Sequence, residues 1–174
     1  DSIEEGKYDH NAYYNSGSYN VYYGNKLVAT IKDHNGGQGW GTITYDQGLY
    51  HSSNVAICNL LDQGYVTKDV LTEKLNDLGF FQGDTVDGLT CSSSINAYTR
   101  KNAGRLEYLT TGFGQGSTVT PYQLLKAYSV FGNDGKTVQP HIVDKVVNPK
   151  TNKVVYQATP KYSKQIFSTN TISQ

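Results

Sequence analysis

The chain has 174 residues, of which 37% are hydrophobic and 17% charged, and its 15 Lys and Arg residues balance 15 Asp and Glu residues. This length suits one domain or a piece of a larger one. The balanced charge argues against a nucleic-acid-binding patch, and no apolar run approaches the roughly 18 to 20 residues of a membrane-spanning helix.

Neither a metal ion nor another cofactor is predicted. The four histidines do not have the spacing of zinc ligands. The segment Asp33–Gly36 hints at a calcium loop but is not followed by the glycine and glutamate such a loop needs. Two cysteines, Cys58 and Cys91, are too few for a disulfide framework, although their number leaves one bridge open.

The first third of the chain predicts short elements joined by loops. A helix is predicted to end at Ile3–Glu5, followed by a loop rich in Tyr and Asn. Two short strands are predicted within Tyr19–Ile31, around the turn Gly24-Asn25. The glycines of Gly36–Gly39 are not followed by the Lys-Ser/Thr pair of a phosphate-binding loop, so this segment is predicted to be an ordinary loop.

Three helices are predicted in the middle of the chain. Thr44 and Gln47 have the spacing of a capping box, which predicts a helix over 45–50. Apolar residues at helical spacing predict a second helix over 54–62. Leucines separated by four and then three residues predict a third helix over 68–78.

The joint between the first two helices is Ser52-Ser53-Asn54. One interpretation is that Ser52 or Ser53 simply caps the second helix, as Ser commonly does. The other is that the joint holds a hydroxyl and a carboxamide at the rim of a cleft, with buried helices fixing both groups. The local sequence alone favours the first interpretation, because short motifs have many false positives.

The second half begins with residues 80–110, which are mostly small and polar and indicate no clear element. A small basic cluster within this stretch is interpreted as a solvated face, and it consists of Arg100, Lys101 and Arg105.

A capping box with proline at the first helical position begins at Thr120 and predicts a helix over 120–132. This helix is expected to pack centrally through Leu124 and Phe131. Runs of β-branched residues then predict a hairpin over 141–157.

Three spaced stretches carry a resemblance to a known family, and they are Ile3–Asp9, Gly39–Ile43 with Ser52–Val55, and Phe113–Pro121 with Asn133–Gly135 and Pro140. Together they resemble the transpeptidase domain of class B penicillin-binding proteins, most closely the division-associated enzymes of Gram-positive bacteria. The resemblance implies an α+β fold of the penicillin-binding-protein/β-lactamase-like type. It also implies a mostly helical middle segment with short β-hairpins.

The active site of that family combines three motifs in chain order: S-x-x-K with the nucleophile, S-x-N, and K-[ST]-G. This chain contains only the middle motif, as Ser52-Ser53-Asn54. No serine has a lysine three positions later, and Lys136-Thr137 is followed by valine rather than glycine. Residues 1–174 are therefore expected to be the central part of one transpeptidase domain, with the other two motifs outside the chain.

The resemblance implies roles for four residues. Ser52 would relay the proton of the acyl transfer, and Asn54 would hold the lysine of the first motif and the amide carbonyl of the substrate. Gln115 would lie near the cleft wall, although a plain turn before a helix remains the alternative for it. His34 replaces a tryptophan that is usual in such relatives and would shape the entrance of the substrate groove.

The function implied by the resemblance is that of a serine-type D,D-transpeptidase, which cross-links peptidoglycan stem peptides and is acylated by β-lactam antibiotics. The segment alone is expected to be inactive. The implied partners are stem peptides and β-lactams, with division proteins as further candidates and no nucleic acid. The implied location is the extracytoplasmic face of the cell membrane, with the anchor outside this segment.

Two alternatives remain open from the sequence. Fifteen tyrosines could line a non-catalytic glycan-binding or peptidoglycan-binding module, although surface aromatic residues need no special function. A complete small hydrolase could use His51 or His141 with a local Ser and Asp. The G-x-S-x-G motif that would support such a hydrolase is missing from the sequence.

Overall fold

The computed structural model describes residues 2–92 and 94–174, so Asp1, the first residue of the predicted domain range, and Ser93 lie outside the described residues. The chain divides into two compact units. The first unit consists of residues 2–71 and 96–118, and the second of residues 72–95 and 119–174.

The strands of the first unit are β1 (Tyr13–Asn15), β2 (Ser18–Tyr23), β3 (Lys26–Lys32) and β4 (Thr42–Thr44). β1 pairs with β4 and β2 pairs with β3, both antiparallel. The predicted hairpin within Tyr19–Ile31 is therefore confirmed. Its turn includes Gly24 at φ 56°, a left-handed conformation that glycine adopts without steric cost.

Two predictions for the start of the chain are wrong. The residues around Ile3–Glu5 form turns rather than the end of a helix, with the amide of Gly6 bonded to the carbonyl of Ile3 at 2.9 Å. The loop predicted after them contains β1, whose pairing with β4 joins residues about thirty positions apart. Such a long-range partner leaves no local pattern that a three-residue strand could display.

The helices predicted around the serine joint are confirmed as α1 (Tyr45–Tyr50) and α2 (Asn54–Asp62). The capping box is formed as predicted: the amide of Gln47 donates to Thr44 Oγ1 at 3.2 Å, and the amide of Thr44 donates to Gln47 Oε1 at 3.0 Å. The third predicted helix is α3 (Lys68–Asp77).

The core of the first unit consists of two apolar clusters. One contains Val21, Ile31, Cys58, Leu61, Val66 and Leu109. The other contains Tyr14, Ile43, Tyr45, Val55 and Ala56. Because α2 contributes side chains to both clusters, it is the central helix of this unit. The first turn of α2, which carries the candidate site, is therefore held in place by buried residues of the same helix.

A further helix of the first unit, α4 (Arg105–Gly112), lies in the stretch for which no element was predicted, after a short 3-10 helix at Ala97–Thr99. Helix α4 has only eight residues and ends in Thr-Thr-Gly, so it would not be stable in isolation although it contains good helix formers. Leu109, which is fully buried, ties the helix to the core. Tertiary packing therefore stabilises α4 more than local preference does.

Arg100, Lys101 and Arg105 are all exposed, which confirms the interpretation of a solvated basic face, but Arg105 also has specific partners. Its guanidinium forms an ion pair with Asp62, with Nε donating to Oδ1 at 2.8 Å, and it also donates to the hydroxyl of Tyr19 at 3.3 Å. The three side chains join the start of α4 to the end of α2 and to β2.

The second unit contains the elements β5 (Thr85–Val86), β6 (Leu89–Thr90), α5 (Pro121–Tyr128), a 3-10 helix (Ser129–Gly132), β7 (Lys145–Val147), β8 (Val154–Gln157) and α6 (Thr169–Ile172). β5 pairs with β6 and β7 pairs with β8, both antiparallel. The predicted hairpin over 141–157 is thus confirmed, with shorter strands than its range.

The position of α5 and its capping box at Thr120 are confirmed, but its predicted buried face is wrong. The exposed fractions of Leu124 and Phe131 are 44% and 64%, whereas Gln123 and Ala127 are buried. Gln123 tolerates burial because its Nε2 donates to the carbonyl of Gln82 at 2.8 Å. Apolar periodicity could not reveal that a satisfied polar side chain faces inward.

Candidate functional site

The candidate site begins with the turn between α1 and α2. Ser53 is the N-cap of α2, and its Oγ accepts a hydrogen bond from the amide of Ala56 at 3.0 Å. The capping interpretation is therefore correct for Ser53. Ser52 is exposed and adopts φ 54°, a left-handed conformation that is uncommon for residues other than glycine.

Asp33 lies beneath this turn and is the residue that the sequence analysis missed. Its Oδ1 accepts hydrogen bonds from Ser53 Oγ at 2.8 Å and from the amide of Val55 at 3.1 Å. Its Oδ2 accepts a hydrogen bond from the amide of Gly17 at 2.7 Å. The exposed fraction of Asp33 is only 2%. The sequence pattern indicated Asp33 only as part of a possible calcium loop, because the residues that bond to it are distant in sequence.

Asn54 is the first residue of α2 and is half-buried. Its Nδ2 donates to the carbonyl of Lys32, the last residue of β3, at 2.9 Å. Because this bond uses one amide hydrogen, the carboxamide keeps a second donor and its Oδ1 acceptor for other contacts. The orientation of the side chain is thus set by the end of a paired strand.

Ser52 and Asn54 line one pocket of about 290 Å³ within the first unit. The residues that line this pocket are Leu49, Ser52, Ser53, Asn54, Ile57, Gly112 and Phe113. One wall therefore comes from α1, α2 and their joint, and the other from the end of α4. Sequence analysis missed Ile57 and Gly112, because α4 was not predicted and Ile57 has the pattern of an ordinary core residue.

Gln115 does not line this pocket. Its side chain is exposed, and its amide donates to the carbonyl of Thr110 at 2.8 Å, which places it in the turn after α4. Two residues of the preceding segment, Gly112 and Phe113, do line the pocket. The structure thus brings the segment before Gln115 to the site, but not the side chain of Gln115 itself.

His34 is also absent from the pocket lining and contacts the turn from outside. Its Nε2 donates to the carbonyl of His51 at 3.0 Å. The ring of Trp40 stacks on the ring of His51, with centroids 4.5 Å apart and planes 10° apart, and lies 5.5 Å from the ring of His34. The rings of His34 and Trp40 thus support His51, the residue directly before Ser52.

No activated nucleophile is evident in this site. Among residues 2–92 and 94–174, no hydrogen bond joins Ser52 Oγ to a base, and the ring of His51 is stacked on Trp40 instead. Cys58, which lies in α2, is buried and is a free thiol. Burial raises the pKa of Cys58 to about 12, so this thiol stays protonated and unreactive.

Neither a metal site nor a membrane span is found in the part of the chain that the structure describes. Its His, Cys, Asp and Glu side chains form no group of three or more that could hold a metal ion. None of its helices is both long enough and apolar enough to cross a bilayer. Cys91 is a free thiol as well, so the bridge that the sequence left open is not formed.

The chain is similar in sequence to a sporulation protein and to a peptidoglycan D,D-transpeptidase homolog. Over 136 residues it is 32% identical to Stage V sporulation protein D of Bacillus subtilis (strain 168). This match covers 78% of this chain and 21% of that protein. Over 109 residues it is 27% identical to the peptidoglycan D,D-transpeptidase FtsI homolog of Mesostigma viride. This second match covers 61% of this chain and 18% of that protein. The chain thus spans about a fifth of the length of these relatives.

Among solved structures, penicillin binding protein 2X of Streptococcus thermophilus superposes with a TM-score of 0.81 at 26% identity, covering 99% of this chain and 24% of that one. This similarity confirms the α+β fold that the resemblance implied. The family model of the penicillin binding protein transpeptidase domain matches residues 2–174. The chain therefore belongs to the family of penicillin-binding-protein transpeptidase domains.

Proposed function

We propose that this chain is the central part of the transpeptidase domain of a peptidoglycan D,D-transpeptidase, which contributes the S-x-N motif to an active site completed by S-x-x-K and K-[ST]-G outside the chain. The observation that carries this proposal is the arrangement of the three motif residues. All three residues line the pocket, but Ser53 is buried and bonded to Asp33, whereas Ser52 is exposed and Asn54 is half-buried. Such alternation suits a turn that presents two polar groups to a substrate and uses the third as its anchor.

The chemistry assigned to the two residues follows from their functional groups. Acyl transfer needs a serine nucleophile, a base that takes its proton, and a route by which the proton reaches the leaving nitrogen. Ser52 Oγ can both accept and donate a proton, so it suits the relay between the base and the leaving nitrogen. The carboxamide of Asn54 can accept from the lysine of the first motif and donate to the amide carbonyl of the substrate.

The two outer residues are proposed to act less directly. His34 supports the carbonyl of His51 and would influence the groove entrance through the turn rather than by binding substrate inside the pocket. Gln115 would reach substrate only along the groove beyond the pocket, since its side chain is exposed in the turn after α4.

The proposed substrate and location follow from the family. A transpeptidase domain acts on peptidoglycan stem peptides outside the cytoplasm, and the family name records binding of penicillin. We therefore propose stem peptides and β-lactams as the ligands of the intact protein, and the extracytoplasmic face of the membrane as its location, with the anchor outside this segment. Contacts with division proteins belong to the same proposal.

The proposal is tested by Asn54→Ala in the full-length protein that contains these residues, with the rate of acylation by a fluorescent penicillin as the measurement. Losing a positioned polar or proton-transfer group typically slows such a step by roughly 10² to 10⁴-fold. Asn59→Ala is a matched control, because Asn59 lies in the same helix, is also half-buried, and donates to the carbonyl of Val55 at 2.8 Å. Acylation of Asn54→Ala at the wild-type rate would refute the site.

A further inference from the structure

We propose that Asp33 is a positioning residue for the transpeptidase reaction, because its buried carboxylate sets the conformation of Ser52-Ser53-Asn54. This inference rests on the proposed function. Asp33 does not line the pocket and lies beneath the turn, so it would act on the substrate only through the residues that it holds.

The carboxylate of Asp33 connects three segments of the first unit. It lies directly after β3, and it accepts hydrogen bonds from the amide of Gly17 before β2 and from Ser53 and Val55 at the start of α2. All three bonds are 2.7 to 3.1 Å long, and the residue is buried. Hydrogen bonds to an ionised acceptor are shorter and stronger than those between neutral groups, so this connection is a rigid one.

Asn54 is bracketed by this contact. The residue before it, Ser53, and the residue after it, Val55, both donate to the same oxygen, Oδ1 of Asp33. The carboxamide of Asn54 donates to the carbonyl of Lys32, which directly precedes Asp33. Hydrogen bonds to Asp33 and Lys32 at the end of β3 therefore fix both the backbone and the side chain of Asn54.

The conformation of Ser52 gives the second reason for this assignment. A non-glycine residue at φ 54° is unfavourable in isolation and persists only where the surrounding structure determines it. On one side, Ser52 is held by α1, because its backbone amide donates a hydrogen bond to the carbonyl of Leu49 at 3.0 Å. On the other side it is joined to Ser53, whose hydroxyl is bonded to Asp33.

Asp33→Asn tests the acceptors without changing the size of the side chain. The carboxylate faces three donors with two acceptor oxygens, whereas a carboxamide has one oxygen and one NH₂ group. The NH₂ group must therefore face the amide of either Gly17 or Val55, and two donors repel each other. The segment around Asn54 is expected to shift, and misplacement of about 1 Å slows a positioned reaction by about 10²-fold.

The experiment measures acylation of the full-length protein by a fluorescent penicillin, separating the final amount of adduct from the rate constant. The amount reports how much protein is folded and competent, whereas the rate constant reports the geometry of the site. For Asp33→Asn we expect a near wild-type amount and a rate constant lower by about 10²-fold. Val66→Ala, in the core of the same unit and outside the pocket, should lower the amount of adduct and leave the rate constant unchanged.

A purely structural role for Asp33 predicts that its variant behaves like Val66→Ala, and that result would overturn the inference. If Asp33→Asn does not fold, Ser53→Ala takes its place, since it removes one of the three donors and leaves the carboxylate. Its rate constant should fall by about 10-fold, less than for Asp33→Asn because the bonds from Gly17 and Val55 remain, and a wild-type rate constant would equally overturn the inference.

Asn54→Ala in the same series separates this inference from the proposed function. If Asn54→Ala reacts at the wild-type rate, the proposed function itself fails. If Asn54→Ala is slow while Asp33→Asn is as fast as wild type, the S-x-N site stands and only the role of Asp33 is refuted.

Discussion

Gly48 of α1 lies where the packing beneath the serine turn is closest, and its replacement by alanine tests that packing. A Cβ atom at this position would lie 2.5 Å from Tyr14 Oη, 2.9 Å from Tyr14 Cε1 and 2.9 Å from the Cβ of Ala56. The ring of Tyr14 stacks on that of Tyr45 at 5.1 Å, and Ala56 belongs to the buried face of α2. Neither neighbour can move away without disturbing the core.

Two opposing effects determine the outcome of Gly48→Ala. Alanine is favoured over glycine inside a helix by about 0.5 to 1 kcal/mol. Overpacking a close-packed core costs about 1 to 3 kcal/mol, and three contacts below 3.0 Å place this site at the upper end of that range. The overpacking effect is therefore larger, and the free energy of unfolding should fall by about 2 kcal/mol, which is roughly 4 to 8 °C in Tm for a chain of this size.

The measurement is thermal and urea unfolding of the 174-residue chain followed by the fluorescence of its single tryptophan, Trp40, which packs against the same cluster as Tyr14. Gly104→Ala is the control in the same unit, because the nearest atom to its added Cβ is 3.6 Å away. We expect the free energy of unfolding of this control to lie within about 0.5 kcal/mol of the wild-type value. Alanine lowers the conformational entropy of the unfolded chain, which stabilises the fold slightly, but it is a poorer helix N-cap than glycine.

Tyr14→Phe should partly restore the stability of Gly48→Ala. Within the described part of the chain, the buried Oη of Tyr14 forms no hydrogen bond of normal geometry, and burial outweighs its interaction with Ser53 in raising its pKa, so its removal costs little and eliminates the 2.5 Å contact. The two changes should therefore couple in a double-mutant cycle. If Gly48→Ala is as stable as wild type, or if Tyr14→Phe gives no recovery, the described packing beneath the turn is wrong.

Two further predictions concern stability. Thr120→Ala removes the side-chain cap of α5 and should lower the free energy of unfolding by about 1 kcal/mol in urea titrations, and an unchanged midpoint would contradict the cap. Burial raises the pKa of Asp62, but hydrogen bonds from Arg105 and Tyr19 outweigh this effect and hold that pKa below its usual value. Its stabilising contribution should be present above about pH 4 and lost as the pH falls through the lowered pKa, so Arg105→Ala should destabilise the chain at neutral pH and progressively less in acid. A pH-independent effect of Arg105→Ala would contradict this ion pair.

The elements that could be predicted from the sequence have local causes. The capping boxes at Thr44 and Thr120 each involve residues three positions apart, and both helices begin where these signals indicate. The S-x-N motif is equally local, since Ser52 and Asn54 are separated by one residue and share a pocket. For such features a short window of sequence contains both interacting partners.

The features that were missed depend on contacts between distant segments. Asp33 receives its hydrogen bonds from residues 16 to 22 positions away, and no spacing rule connects them. The helix α4 is held by the burial of Leu109 rather than by its own propensity. The inward face of α5 depends on the hydrogen bonds of Gln123, which become visible only when Gln82 and Ser94 are in place.

The site of penicillin attachment in the full-length protein tests the central claim most directly. Intact-mass spectrometry followed by peptide mapping should find the adduct on a serine outside these 174 residues, and the chain alone should give no adduct. The reason is that the hydroxyl of Ser52 is a weak nucleophile until an adjacent base takes its proton, and the ring of His51 is stacked on Trp40 instead. A stable adduct on Ser52, or on any other serine of this chain, would contradict the account and favour a self-contained hydrolase.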